Sequence, residues 1–532
     1  MSGAWDGIVL GTGHNALVLQ AYLCRAGHRV LSVDRADEPG GGLETIKNPR
    51  HPGFLHNTHG FFHRALTAMP WYSDLELNRH GARYIEPELN VAMICPDGRA
   101  IKWWTDPERT LASVAEFSRR DAGVLGSWIE RFGPIVETIL VPEAQSPPLM
   151  PERRQAWLES TSEGRLLLDV SRRSPLEFVR EEFEHPAVRA GLLFFNGLRE
   201  VDLRLPGFGH SIPALMAGRH KAQMCLGGAV ELARALVSDI TEHGGEVRCG
   251  VSIDGILVED GRATGIALAD GERIEGASFV VSGLNPQQTL LELLDADAVA
   301  PPLRERAGSF RYNLLAPLFA LNLALTEPPG YRAAQDDPEL DEAFMVILGL
   351  SDDGQFEQIV QAHEQGTIPP TVMWGCCPTR FDPSQAPPGS HTAFMWEKLP
   401  YRLSGDPLRW DEMGREHGEK MLAEWTREAP NLVDAVLDWF VRTPLDTVRR
   451  LPNMREGDLL VGSFANDQVG YHRPFPGAGH YRSGVDGLYL CGGSCHPGGN
   501  ITGLCGYNAA RVVVADRGES PWWNPSEISG AS

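Results

Sequence analysis

The chain opens on a short apolar run, Gly7 to Leu10, followed by a glycine-bearing polar turn and then apolar residues at helical spacing from Leu17 to Ala26, closed by Gly27. A second apolar run, Arg29-Val30-Leu31-Ser32-Val33, ends in Asp34. Short apolar runs bounded by glycine predict buried strands, and the 3.6-residue spacing between them predicts a helix. The first segment therefore reads as strand, turn, helix, strand. A related order recurs near the other end. Gly487-Leu488-Tyr489-Leu490 predicts a buried strand, a glycine-rich turn follows, and Ile501-Thr502-Gly503 leads into a helix running to about Asp516. Between the two, ERTLASVAEFSRR and SPLEFVREEFEHPAVRAGLLFF carry helical spacing and predict a helical cap near residues 105 to 200. Proline-rich stretches at 147 to 151, 327 to 329 and 386 to 388 predict loops between subdomains.

Length and charge narrow the classes. A chain of 532 residues exceeds one ordinary core and predicts roughly two to four domains. Acidic residues outnumber basic ones by 70 to 48, a formal charge of −22, which is the wrong sign for neutralising phosphates and excludes nucleic acid as an expected partner. Leu314 to Leu325 is the most apolar later segment, but Pro317 and Asn322 interrupt it and it is too short to span a bilayer. The N-terminal MSGAWDGIVLG lacks a basic region followed by an apolar stretch, so a cytoplasmic location is expected. Nine cysteines, an odd number without repeated CxxC spacing, agree with a reducing compartment. Cys491, Cys495 and Cys505 with His496 outline a zinc set. Their glycine-rich context reads better as buried small side chains, and no metal is expected.

The first turn has the chemistry of a dinucleotide site. In Gly11-Thr12-Gly13-His14-Asn15-Ala16, Gly11 allows the tight turn, Gly13 lets the backbone approach a pyrophosphate, and Ala16 is small enough for close packing of helix on strand. The helix start offers unpaired N–H groups and a positive dipole end. Asp34 closes the second strand, where a carboxylate accepts from ribose hydroxyls and repels a 2′-phosphate. A second glycine cluster, Gly40-Gly41-Gly42, follows that acid closely and favours FAD over NAD.

Together, GTGHNA, the acid followed by GGG, and GLYLCGGSCHPGGNITGLCGYNAARVV resemble the phytoene desaturase and amine oxidase superfamily of flavoproteins. The similarity is greatest to its bacterial phytoene-dehydrogenase-like branch, which includes the pyridine nucleotide-disulfide oxidoreductase domain-containing proteins. Leu226 to Leu236, Gly244 to Gly261 and Val280 to Pro286 extend it through the middle, and residues 300 to 460 are least distinctive. The sequence departs at Ala16 and Asn500, where the family often has Gly, and at Gly493-Ser494-Cys495, where Ala-Gly-Thr-type residues are usual.

The resemblance implies an α/β protein: a Rossmann-like FAD-binding fold of glutathione-reductase type, with an inserted substrate domain built on a mixed sheet and a helical cap. The implied divisions are 1–100 (first part of the FAD-binding domain), 101–220 (cap), 221–300 (return segment), 301–475 (substrate domain) and 476–532 (closing segment and tail). It implies that Gly11, Gly13, His14, Asn15, Ala16, Asp34, Arg35, Gly41 and Gly42 hold the ADP half of FAD. Val251 or Ile253 meets the adenine. Gly493, Ser494, Gly499, Asn500, Ile501 and Gly503 line the ribityl and isoalloxazine end, with the last helix aimed at flavin N1 and O2.

For catalysis, His59, His63 and Arg64 follow the glycine cluster, His472 precedes the final flavin strand, His496 is fixed by Pro497-Gly498, and Tyr507 lies in the first turn of the last helix. For each histidine alone the alternative is a structural or surface role, and for Tyr507 a core role. Trp103-Trp104, Phe194-Phe195 and Leu314 to Phe319 are pocket candidates, or simply core. The expected activity is hydride transfer from an apolar or partly polar small organic substrate to flavin N5. A flavin-dependent isomerase or saturase and a non-catalytic lipid carrier of the same fold remain alternatives. The electron acceptor, oxygen, quinone or another, and a homodimer stay open.

Overall fold

The computed structural model describes residues 5–196 and 201–528. Five strands form a wholly parallel sheet in the spatial order Glu246–Arg248, Val30–Val33, Gly7–Leu10, Phe279–Ser282, Leu488–Leu490. Every residue of Gly7–Leu10, Val30–Val33 and Phe279–Ser282 is buried, as a parallel sheet covered on both faces requires. The helix between the first two strands is His14–Arg25 and starts at His14 rather than Leu17. Its first turn is polar, so apolar periodicity carries no signal there.

The last helix, Leu504–Asp516, packs directly on this first one. The approach is close enough to demand glycine: a Cβ on Gly506 would stand 1.9 Å from the Asn15 carbonyl oxygen. Tyr22 and Tyr507 meet edge to face beside the crossing, with ring centroids 5.3 Å apart. The two ends of the chain are thereby joined over one sheet.

A second, seven-stranded sheet runs Val436–Arg442, Leu318–Leu325, His391–Lys398, Met373–Cys376, Met345–Leu348, Leu89–Ile94, Ala100–Trp104. It is antiparallel except where Met345–Leu348 pairs with Leu89–Ile94. All eight residues of Leu318–Leu325 are buried, which explains the apolar run without any membrane. Among the described residues no helix is long and apolar enough to cross one. The hairpin Leu89–Trp104 belongs to this sheet, so the segment assigned from sequence to the FAD-binding part up to residue 100 ends earlier. Alternating apolar hairpin residues do not reveal which sheet they join.

Helices from Pro107–Ala115 to Ser211–Ala217 cover the second sheet, and one apolar core that includes Trp103, Trp128, Phe178 and Trp374 unites them with it. A small antiparallel sheet, Ile253–Glu259, Arg262–Leu268 and Arg273–Ile274, packs Ile256 and Ile266 with Ile8, Leu31 and Val33 of the parallel sheet.

Gly506→Ala is expected to destabilise the fold by about 3 kcal/mol or more, the upper end of overpacking costs, because backbone must yield. Gly123→Ala in the exposed face of helix Arg119–Ile135 meets nothing within 4 Å and is expected to be neutral or stabilising. Denaturant titration of both variants checks this, and equal midpoints would contradict the close crossing.

Candidate active site

The glycine turns of both chain ends open onto one cavity of about 430 Å³. Gly11 (φ +90°) turns the chain out of the first strand, and Gly13 then caps helix His14–Arg25 without any side-chain cap. The first N–H groups of that helix are left for a ligand. Gly41 (φ +57°) faces Gly13 so closely that a Cβ on it would stand 3.2 Å from the Gly13 Cα, whereas a Cβ on Gly13 would meet nothing within 4 Å. That open space beside a helix start is where a pyrophosphate fits.

Asp34 is fixed by three protein donors: the Thr12 N–H (2.8 Å) and hydroxyl (2.7 Å), and the Ala36 N–H (2.9 Å). A carboxylate has about four acceptor positions, so roughly one remains for a ribose hydroxyl. Asn15 Oδ1, buried in the cavity wall, has no partner among the described residues, which marks a polar atom waiting for a ligand donor. Arg450, which the sequence did not single out, also lines the cavity and pairs with Glu44 at 2.5 Å.

The opposite wall comes from residues 459–461, 492–493 and 499–501. Arg473, with no exposed surface, ties its two halves together. Its guanidinium donates to the Gly493 (2.9 Å), Leu460 (3.4 Å), Ser463 (2.9 Å) and Cys495 (3.2 Å) carbonyls. Burial lowers its pKa. Asp458 braces the same loop, accepting from the backbone N–H groups of Asn313 (2.8 Å), Leu460 (2.8 Å) and Gly462 (2.6 Å), and burial raises its pKa. Two non-glycine residues in this wall adopt left-handed backbone, Val461 (φ +52°) and Asn500 (φ +72°). Such conformations cost energy and persist only where surrounding contacts hold them. For Asn500 the contact spans the whole chain: its carbonyl accepts from His14 Nε2 at 3.0 Å. Burial pushes the His14 pKa down to about 4, so the ring is neutral with its hydrogen on Nε2.

Beyond that wall lies an aromatic chamber of about 110 Å³, lined by Phe61, Phe62, Leu318, Trp374 and Trp396 together with His59 and Lys398. Gly42, Met454, Leu459, Leu460, Asn500 and Ile501 line both spaces. His59 is held through Nδ1 to the Thr58 hydroxyl (2.9 Å), which in turn donates to Glu44 (2.6 Å), while Nε2 stands 3.3 Å from the Thr447 hydroxyl. Because Thr58 spends its hydrogen on Glu44, Nδ1 carries the imidazole proton and Nε2 is the acceptor. Burial lowers the His59 pKa to about 4 against the opposing pull of Glu44. Lys398 is buried and donates to the Ala316 carbonyl at 3.2 Å.

Of the residues expected to hold the cofactor, Gly11, Gly13, His14, Asn15, Ala16, Asp34, Arg35, Gly41, Gly42, Ile253, Gly493, Gly499, Asn500 and Ile501 line the cavity. Val251, Ser494 and Gly503 do not. Val251 instead donates its N–H to the Asp34 carbonyl at 2.9 Å. Ser494 is fully buried behind the wall. Gly503 packs under Trp71, whose indole donates to the Thr502 carbonyl at 2.6 Å. Asn500 and Ile501, not the first turn of the last helix, therefore face the cavity.

Of the catalytic candidates, only His59 reaches these spaces. His63 is buried against the Tyr84 hydroxyl at 2.9 Å, and burial lowers its pKa to about 3. Arg64 lines a different cavity. His472 stacks edge-on to Tyr471, and His496 turns away to the Glu143 carbonyl at 2.9 Å. Tyr507 is core, between Tyr22 and Trp523. Sequence spacing places such residues near a motif but does not say which way they point. Trp103 and Trp104 line the same cavity as Arg64, Phe194 packs on Trp374, and the Phe195 side chain lies outside the described residues. Phe61, Phe62, Trp374, Trp396 and Lys398 were missed. Alternation in FMWEK at the end of strand His391–Lys398 put Trp396 and Lys398 on one face and was the available signal. Among the described residues no group of three or more His, Cys, Asp or Glu could hold a metal ion.

Residues 9–73 match the family model described as an NAD(P)-binding Rossmann-like domain. Over nearly the full length, the chain is 28% identical to one of the subunits of limonene dehydrogenase from Castellaniella defragrans, covering 99% of this chain and 97% of that protein. It is 27% identical to pyridine nucleotide-disulfide oxidoreductase domain-containing protein 2 of Rattus norvegicus, covering 96% and 94%. The chain is thus similar over nearly its whole length to oxidoreductases of the phytoene desaturase and amine oxidase-like superfamily. The same fold is seen in cyclohexylamine oxidase of Brevibacterium oxydans, which aligns over 97% of this chain and 100% of that one with a TM-score of 0.56 at 14% identity.

Two outcomes follow for stability. Arg473→Met is expected to cost about 3–5 kcal/mol, because it strands buried carbonyls and leaves Asp458 without its nearby cation; an unchanged melting temperature would contradict the bracing role. His59, His63 and His496, with pKa values lowered from 6.5 to about 4, 3 and 4, bind protons more readily when unfolded. Their contribution is complete above pH 6.5 and is lost as pH falls toward 4, at up to about 1.4 kcal/mol per pH unit for each. Urea titrations between pH 6.5 and 5 check the slope, and a flat stability profile would contradict it.

Proposed function

We propose that the chain is an FAD-dependent dehydrogenase or desaturase that oxidises a neutral, apolar organic substrate. One observation carries this reading: the dinucleotide-shaped cavity and the aromatic chamber share a wall, so a redox ring at the end of the first faces whatever occupies the second. Gly11, Gly13 and Gly41 would hold the pyrophosphate, Asp34 a ribose hydroxyl, Ile253 the adenine side, and Gly493, Gly499, Asn500 and Ile501 the ring end. Bound there, FAD supplies a two-electron acceptor that takes a hydride at N5.

The protein side of the reaction follows from the chamber. Phe61, Phe62, Trp374 and Trp396 exclude water and hold hydrocarbon against the shared wall. Among the described residues no carboxylate lines the chamber to offset an ammonium ion, which favours a neutral substrate over a charged amine. Its volume is somewhat below the roughly 150 Å³ that admits benzene, so it takes one ring, or one segment of a longer chain. Desaturation removes a hydride and a proton as the C=C bond forms. His59 is the only histidine among the described residues lining the chamber, and in this reading its Nε2 exchanges the Thr447 hydroxyl, now 3.3 Å away, for that proton, with Glu44 3.8 Å from Nδ1 to stabilise the cation. The name of the limonene dehydrogenase relative supports a cyclic terpene as the first substrate to try.

Anaerobic mixing with limonene or a related cyclic alkene is expected to bleach the flavin absorbance, and cyclohexylamine is expected not to. The reverse order would overturn the neutral-substrate reading, and turnover without any electron acceptor would mark an isomerase. His59→Asn is expected to keep the flavin spectrum while slowing its reduction about 10²-fold, the lower range for loss of a general base. An unchanged reduction rate would remove His59 from the chemistry.

A further inference from the structure

We infer that a second cavity, between the helical cap and the seven-stranded sheet, binds an amphipathic monocarboxylate. It measures about 320 Å³ and, among the described residues, shares no lining residue with the dinucleotide cavity or the aromatic chamber. Its size falls at the small end of the roughly 300–1,000 Å³ typical of small-molecule sites.

The inner wall is apolar: Val91, Trp103, Ile129, Leu215 and Met345. Among the described residues the charged lining is entirely basic, Arg64, Arg219 and Lys221, with no Asp or Glu. In a chain of net charge −22, that clustering around an apolar hole is opposite to the average surface. Arg219 and His220 are exposed and Lys221 is half-buried behind them, so the basic groups occupy the mouth and the hydrocarbon wall the depth.

Lys221 is the built element. Its ammonium donates to the Gly218 (2.6 Å) and Met216 (3.3 Å) carbonyls, and its third hydrogen has no acceptor among the described residues. Burial lowers its pKa to about 8, with Arg64 adding to the effect and Glu86 opposing it. Glu86 does not line the cavity: it accepts from the Lys221 backbone N–H (3.3 Å) and from Gln223 Nε2 (2.8 Å) and stands 3.5 Å from His220. Arg219 pairs with Glu137 at 2.7 Å, but both are exposed, so that pair is weak and easily exchanged for a ligand carboxylate. A carboxylate at the mouth would take the third Lys221 hydrogen in a charge-assisted bond, with its alkyl tail against Trp103 and Met345.

Calorimetric titration of the holoprotein with decanoate, decanol and acetate tests the assignment. Decanoate is expected to bind at one site, at least tenfold more tightly than decanol, with acetate showing no saturable binding. Lys221→Met is expected to weaken decanoate tenfold or more while sparing decanol. Leu215→Trp, which fills the hole without touching a charge, is expected to abolish both, with the circular dichroism spectrum unchanged in each variant. Equal affinities for decanoate and decanol, decanoate binding that survives Lys221→Met or Leu215→Trp, or no binding at all would each overturn the site. Perturbation of the flavin spectrum by decanoate would place it in the aromatic chamber and overturn it too.

Discussion

The constraint on which the rest of the structure depends is the crossing of its first and last helices, where Gly506 leaves no room for a side chain against the Asn15 backbone. That contact fixes the glycine turn before the last helix over the glycine turn before the first. Only then can the Asn500 carbonyl reach His14, and only then does the parallel sheet carry one continuous cavity at the ends of its strands. Ligands of open α/β sheets occupy this position, outside the carboxyl ends of the strands.

The far wall shows what such closure demands. Residues 458–463 and 492–501 are irregular backbone forming the wall of a cavity, with many carbonyls and N–H groups and few regular partners. The buried Arg473 guanidinium satisfies carbonyls and the buried Asp458 carboxylate satisfies N–H groups, and neither charge meets the other in a close ion pair. Removing either partner of such a network leaves buried polar groups unpaired, which is where the large single-residue penalties in proteins arise. The left-handed backbone at Val461 and Asn500 lies on this braced wall, and at Asn500, which lines both the cavity and the aromatic chamber, the strain sits where the two spaces touch.

Much of the fold was legible in the sequence because its signals are local. A glycine turn between a buried strand and a helix reports its own geometry, and both glycine turns, the position of Asp34 just after its strand and the helical cap could be read from local pattern. The chamber was not legible, because its aromatic residues come from strands far apart in the chain and each resembles ordinary core. The histidines could not be told apart for a related reason: His59, His63 and His496 all sit beside glycine motifs, but side-chain direction depends on strand register and on partners such as Tyr84 for His63 and the Glu143 carbonyl for His496. The start of the first helix was misplaced because His14 and Asn15 give no apolar periodicity, although they are the residues that face the ligand space.

The central claim is that the converging chain ends enclose a flavin dinucleotide. Mass-spectrometric identification of the nucleotide released when the purified protein is denatured tests it most directly. The account predicts FAD at one molecule per chain. Release of a nicotinamide dinucleotide alone, or of no nucleotide from a protein that also fails to take up added FAD, would contradict it.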